Sequence, residues 1–200
     1  MPRKIVSSLY VTLDGYLDEP GRWSFPFWSE EASAFKAREL AASDALLLGR
    51  VTYEGFAAAW PTMEGTGEFG EKMNAMPKYV ASRTLGTATW NATIIQGDVA
   101  EAVRRVRQED GGDVLIGGSG QLVDYLTGHD LIDEYRLLIH PIVLGDGTKR
   151  LFDAVPRRTL ELVESATLPN GVVLNTYRRA ADATSPEVAD TKPAEADQGG

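Results

Sequence analysis

No cysteine occurs anywhere in the chain. That excludes disulfides, thiol nucleophiles and cysteine-ligated metals, and it fits a reducing compartment. Histidine is nearly as scarce: His129 and His140 are the only two, too few for a histidine-rich metal site. Positive charge is short as well, with 20 Lys and Arg against 29 Asp and Glu and a net charge of −9. Nucleic-acid binding needs clustered cations for phosphate contacts, so this balance argues against it. Part of the acidity is local, since residues 181–200 hold five Asp or Glu and one Lys. Long hydrophobic runs are missing too. Ser7, Ser8 and Thr12 interrupt the first apolar stretch, so no signal-peptide core forms, and nothing reaches the roughly 20 apolar residues of a membrane helix. The expected address is the cytoplasm.

What is present is an ordinary apolar fraction of 43% in 200 residues, enough for one domain with its own core. That domain is expected over residues 1–180. From Ala181 onward the only large aliphatic residue is Val188, too little burial to offset the entropy of ordering, so 181–200 reads as a disordered acidic tail.

Period-two alternation from Ile5 to Leu13 predicts a largely buried first strand ending at an Asp14-Gly15 turn. An aromatic loop follows, with Trp23, Phe25, Phe27 and Trp28. Ser29 then offers an N-cap for a helix to about Ala42, with Glu30 and Glu31 suiting its dipole. The apolar run Asp44–Gly49 reads as a central strand, and Val51–Ala59 as a helix. Residues 62–76 read as a loop or irregular helix, with short strands at 78–82 and 93–96. Asp98 caps an amphipathic helix whose apolar face is Val99, Ala102, Val103 and Val106. Asp113–Ile116 is a second buried strand, followed by a helix from Gln121 to Leu126. Strands over 134–144, 159–168 and 172–178 complete the pattern, the last two joined by a Pro169-Asn170-Gly171 hairpin turn. Strands alternating with helices and closed by a hairpin predict an α/β fold with a mixed, mostly parallel sheet.

Two junctions carry the chemical signal. At Leu48-Gly49-Arg50-Val51-Thr52 a buried strand opens onto a helix N-terminus, whose free amides and partial positive charge form a seat for phosphate. Arg50 adds a forked cation and Thr52 a hydroxyl. The alternative is a plain chain turn with a solvated arginine. Ile116-Gly117-Gly118-Ser119-Gly120-Gln121-Leu122 repeats the construction with three glycines in four residues, whose amides can line an anion. The spacing is not the dinucleotide fingerprint GxGxxG. In open α/β sheets both junctions lie at the carboxyl ends of strands, where ligands settle.

These residues, in this order, resemble the dihydrofolate-reductase superfamily: Leu13-Asp14-Gly15, Gly49-Arg50-Val51-Thr52-Tyr53-Glu54, Ala81-Ser82-Arg83, and Ile116-Gly117-Gly118-Ser119-Gly120. The resemblance covers about residues 3–179. It is closest to the branch holding the reductase domain of the bifunctional riboflavin-biosynthesis enzyme, which His140-Pro141-Ile142-Val143-Leu144-Gly145-Asp146-Gly147 also matches. It implies a three-layer fold with a C-terminal β-hairpin and hydride transfer from NADPH to a small heteroaromatic or carbonyl-type metabolite. The implied activity is of the 5-amino-6-(5-phosphoribosylamino)uracil reductase or dihydrofolate reductase type. By position it assigns Gly49, Arg50 and Thr52 to the cofactor phosphates and Ser82 and Arg83 to the 2′-phosphate. Gly118, Ser119, Gly120, Gln121 and Leu122 would cradle the pyrophosphate, with Gly117 also counted among the cofactor-binding residues, and Val11, Thr12 and Leu17 would edge the nicotinamide. It also implies a cis peptide between Gly117 and Gly118, and a homodimer formed through an exposed sheet edge, with 134–144 as the contact strand. Two features depart from the pattern. Ser33-Ala34 stand where dihydrofolate reductases place a carboxylate, which argues against folate as substrate. A zinc deaminase domain has no cysteines to use.

On the substrate side, Trp23, Phe25, Phe27 and Trp28 either stack on a flat substrate or pack their loop onto the core. Ile116 is expected to border the pocket. Asp14 either positions substrate or a proton-supplying water, or belongs to an ordinary Asp-Gly turn. His140 reads as packed structure rather than a proton donor. Two other functions stay open: a non-catalytic NADP-binding module, and a flavin- or deazaflavin-binding one.

Overall fold

The computed structural model describes residues 2–180; the acidic tail expected over 181–200 lies outside the described residues. Eight strands form one sheet in the order β4-β3-β2-β5-β1-β6-β8-β7. They are β1 (Ile5–Thr12), β2 (Ser43–Gly49), β3 (Lys78–Ala81), β4 (Ala92–Ile94), β5 (Asp113–Ile116), β6 (Glu134–His140), β7 (Leu160–Thr167) and β8 (Val173–Arg179). From β4 to β6 every pairing is parallel, and β8 and β7 add an antiparallel edge. Five helices flank the sheet: α1 (Glu30–Ala42), α2 (Arg50–Ala59), α3 (Gly67–Ala75), α4 (Val99–Gln108) and α5 (Gly120–Gly128). None is long and apolar enough to cross a membrane.

Strand alternation sends successive side chains into two main cores, with a smaller cluster at Leu138, Val172 and Leu174. On one face Ile5, Leu9, Val11, Leu47, Val114 and Ile116 pack against Val103 and Val106 of α4 and Leu122, Val123 and Leu126 of α5. On the other, Val6, Leu46, Leu48, Val80 and Leu115 meet Leu40 of α1, Tyr53 of α2 and Met73 of α3. The expected α/β architecture with helices on both faces of a mostly parallel sheet is present.

Local signals account for most boundaries. The Ser29 hydroxyl accepts the Ala32 N–H (3.2 Å) at the start of α1, and Asp98 accepts the Glu101 N–H (2.8 Å) at the start of α4. The β7–β8 turn holds Asn170 and Gly171 at φ of 65° and 83°, the left-handed region these residue types favour.

Three expectations need correction. The stretch 62–76, expected as a loop or irregular helix, is irregular only before Gly67, and Gly67–Ala75 (α3) is a regular helix. Met73 is buried in the second core and Phe69 packs against it, and this tertiary packing outweighs the helix-weakening glycines. β6 stops at His140, four residues short of Leu144, because Pro141 has no N–H to continue a ladder. Nor is β6 an exposed edge. It is hydrogen-bonded on both sides, to β1 and β8, so it is not free to pair with a second copy; the sheet's edges are β4 and β7.

Candidate functional site

The sheet brings the carboxyl ends of its central strands to one rim. Gly49 of β2 sits in register with Ala81 of β3, Leu46 of β2 with Leu115 of β5, and Ser7 of β1 with Ile116 of β5. β5 ends there, while β1 continues beside β6 to the Thr12–His140 pair. The rim is therefore notched at β5, between the β2 and β1 ends.

The two strand–glycine–helix junctions meet at this notch. The Gly49 N–H donates to Ser119 Oγ (2.9 Å), and the Thr52 and Ser119 hydroxyls share a hydrogen bond (2.8 Å). A methyl group at Gly49 would overlap the Ser119 hydroxyl, and one at Gly120 would stand 2.7 Å from Leu17 Cδ1. Gly118 (φ 130°) and Ser119 (φ 73°) turn the chain into α5. Ser119 is thus a non-glycine residue in an uncommon conformation that its surroundings must hold. The expected cis bond is absent: no cis peptide occurs among the described residues, and the reversal is made by these positive φ angles instead.

The helix starts differ in a telling way. α1 and α4 have a capping side chain and acidic residues in the first turn. α2 and α5 have neither. Their first amides and positive dipole ends are thus uncompensated by side chains, and the two starts are joined through Ser119.

The remaining assigned residues fall into two groups. Arg50 is partly exposed in an ion pair with Glu54 (2.8 Å). Arg83 is exposed two residues beyond Ala81, and the Ser82 hydroxyl before it accepts the Thr84 and Leu85 N–H groups (3.2 and 2.9 Å). Gln121 is exposed at the first turn of α5 and Leu17 lies over Gly120. Gly117 has the Phe56 ring beside it. By contrast Val11, Ile116 and Leu122 direct their side chains into the core, so only their backbone groups reach the rim. Thr12 is buried, donating to Asp14 Oδ1 (2.6 Å) and accepting the Tyr16 N–H (2.9 Å).

The aromatic loop divides. Trp23, only 7% exposed, and Phe27 stand edge-on to the His140 ring with Tyr10, at centroid distances of 5.0, 5.7 and 5.4 Å. These rings pack their loop onto the core. Phe25, 71% exposed, and Trp28, 43% exposed, remain outside. His140 itself is buried, with Nδ1 against the Leu138 carbonyl (2.9 Å). Burial pushes its pKa down, with the Leu138 and Val11 carbonyls opposing.

Asp14 is committed to the fold around it. Its carboxylate accepts the Thr12 hydroxyl and the Leu144 and Gly145 N–H groups (3.1 and 2.9 Å). The Thr12 hydroxyl is the main cause of a pKa below the ordinary aspartate value. Asp18, which the sequence reading passed over, does the same for the next residues, accepting Thr148 N–H, Thr148 Oγ1 and Lys149 N–H (3.0, 2.7 and 2.9 Å). Together they tie the loop after β1 to the loop after β6, and Leu17 N–H to the Lys149 carbonyl adds to the seam. Only the pairing of positions some 130 residues apart reveals this role.

The Bacillus subtilis (strain 168) protein YyaP is 30% identical over 179 residues, covering 88% of this chain and 94% of its own. Among solved structures, a Shewanella sp. PV-4 protein provisionally named for riboflavin biosynthesis superposes with a TM-score of 0.71 at 19% identity, covering 90% of this chain and 99% of that one. Dihydrofolate reductase from Enterococcus faecalis, solved with NADP(H), gives a TM-score of 0.62 at 15% identity, covering 88% and 96%. At these identities the structures speak for the fold, which is of the dihydrofolate-reductase type. The model of the RibD C-terminal domain matches residues 3–174, and the chain belongs to that family.

Proposed function

We propose that this protein is an NADPH-dependent reductase that delivers a hydride to a small heteroaromatic or carbonyl-type metabolite. One observation carries the reading: two helix N-termini without capping or acidic side chains are joined through Ser119 at a notch in the carboxyl rim of the sheet. Such a pair suits a pyrophosphate, because free amides and two dipole ends converge on one anionic group. The solved relative that holds NADP(H) supports the same choice of cofactor.

NADPH, when bound, supplies the hydride. The chain's own residues bind and orient. Backbone amides of Gly118 to Leu122 and the Thr52 hydroxyl would hold the pyrophosphate. Arg50 and Arg83, beside the β2 and β3 ends, would meet the extra 2′-phosphate, whose oxygens the arginine fork matches. Leu17, seated on Gly120, would shield the nicotinamide edge from water, alongside Val11 and Thr12. Phe25 and Trp28 offer exposed rings for stacking on a flat substrate. Asp14 is held ionised on backbone amides and His140 is enclosed by aromatic rings, so in this reading the proton that accompanies hydride transfer comes from water. Asp14 positions a loop and delivers no proton.

A second copy of the chain is proposed to pair along β7, the exposed antiparallel edge, where Leu162 and Val163 face solvent.

The test of the cofactor assignment is competition between NADPH and NADH. Wild-type protein is expected to favour NADPH, and Arg83→Ala to lose about tenfold of that preference, roughly 1.4 kcal/mol. An unchanged preference contradicts the role of Arg83. NADPH bound without oxidation across a panel of heteroaromatic and carbonyl substrates contradicts catalysis and leaves a binding module.

A further inference from the structure

A second concave feature lies at the other end of the sheet. A cavity of about 300 Å³ is lined by residues at the amino-terminal ends of β1 and β6, α4 and the last residues of β8. β1 is eight residues long, so about 25 Å of strand separates this cavity from the notch at the carboxyl rim.

Its lining is cationic although the chain is acidic overall. Arg3, Lys4, Arg107, Arg178 and Arg179 outnumber Asp133 and Glu134, an excess of three positive charges in a chain of net charge −9. The two carboxylates are already divided. Asp133 accepts the Ile5 N–H (2.9 Å) and Arg107 Nη2 (2.5 Å). Glu134 is shared between Arg136 (2.6 Å) and Arg178 (3.0 Å). Burial alone would raise its pKa, but the two guanidinium groups outweigh that and hold it below the ordinary glutamate value.

Donors are left over. Among the described residues the Arg179 side chain has a single acceptor, the Asp130 carbonyl (3.1 Å). Arg3, 6% exposed, donates from Nε to the Gly112 carbonyl (2.9 Å) and pairs through Nη1 with Glu109 (3.5 Å), while its Nη2 has no hydrogen-bond partner among the described residues. Lys4 is exposed, and its electrostatic partner is Asp113, which the lysine charge pulls toward ionisation against the larger effect of burial. With Glu109 beside Arg3 and Asp113 beside Lys4, four carboxylates face the five cations, and Arg179 is the cation left without one among the described residues.

We propose that this cavity binds a small polyanion with two phosphate groups, a diphosphate or a bisphosphorylated metabolite. Lys4 stands at β1, Arg107 at the end of α4, and Arg178 and Arg179 at the end of β8, so cations border the cavity from three elements. Guanidinium forks present paired donors to phosphate oxygens. The volume is at the small end of ligand pockets, a fit for a compact metabolite rather than a dinucleotide. Asp133 and Glu134 hold Arg107 and Arg178 in place.

The probe is inorganic pyrophosphate, titrated calorimetrically into the full chain at constant ionic strength. The expected result is one saturable site, weakened at least tenfold in the double variant Lys4→Glu, Arg179→Glu, with NADPH affinity unchanged. Both replaced side chains are exposed and, among the described residues, unpaired with any carboxylate at hydrogen-bond distance, and a thermal melt matching wild type verifies that the variant folds. Absence of a saturable signal overturns the proposal. So does undiminished binding by the folded double variant, and so does displacement of pyrophosphate by NADPH, which would put the anion in the other cleft.

Discussion

Ser119 links the two halves of the candidate site: its hydroxyl meets the Gly49 N–H and Thr52 Oγ1 at once. Glycine at position 49 follows from that contact, because any β-carbon there would displace the hydroxyl. A second residue with a physical consequence is Lys78, fully buried at the start of β3. Its ammonium donates to the Asn74 carbonyl (2.8 Å) and lies 4.0 Å from the Trp90 ring centre. The carbonyl belongs to the last turn of α3, where a cation suits the dipole. Burial nonetheless lowers its pKa to about 8. A lysine depressed in the folded state is protonated more fully when unfolded, so stability rises with pH between the folded value and the unfolded one near 10.4. Urea unfolding from pH 7 to 10.5 is expected to show this rise in wild type relative to Lys78→Met. If the two proteins share one pH profile, Lys78 carries no such penalty.

At the scale of elements, β7 is the exposed sheet edge with apolar residues turned to solvent. If two copies meet there, Leu162→Lys places a charge in the contact, and gel filtration at micromolar concentration is expected to move from a dimer to a monomer. A wild-type monomer contradicts the interface. The parallel strands, the caps of α1 and α4, the β7–β8 turn and both glycine junctions were legible in the sequence, because each rests on residues close together in the chain. The strand residues Ile5–Thr12, buried on both faces, mark β1, and Ser29 and Asp98 announce their helices without tertiary help. What escaped depends on distant partners. α3 is stabilised by packing of Phe69 and Met73, and no local pattern stands out against its glycines. The interior place of β6 is set by β8, about 40 residues later. Asp14 and Asp18 find their acceptor roles in a loop some 130 residues away, and the division of the aromatic loop is decided by the buried ring of His140.

At the scale of the whole molecule, one rim of the sheet gathers the uncapped helix starts, the paired loops and the exposed aromatic residues, while the opposite end collects the cation-lined cavity. The fold keeps the two apart by the length of β1, so each can be tested alone. The central claim concerns the first: that a single dinucleotide lies across the Gly49 and Gly117–Gly120 junctions. Titration of NADPH by nicotinamide fluorescence, into wild type and into Gly49→Ala, addresses it most directly. The account predicts saturable one-to-one binding by wild type and at least tenfold weaker binding by Gly49→Ala, since the added methyl displaces Ser119 from the junction. A wild type that does not bind NADPH, or a folded Gly49→Ala that binds it equally well, contradicts the account.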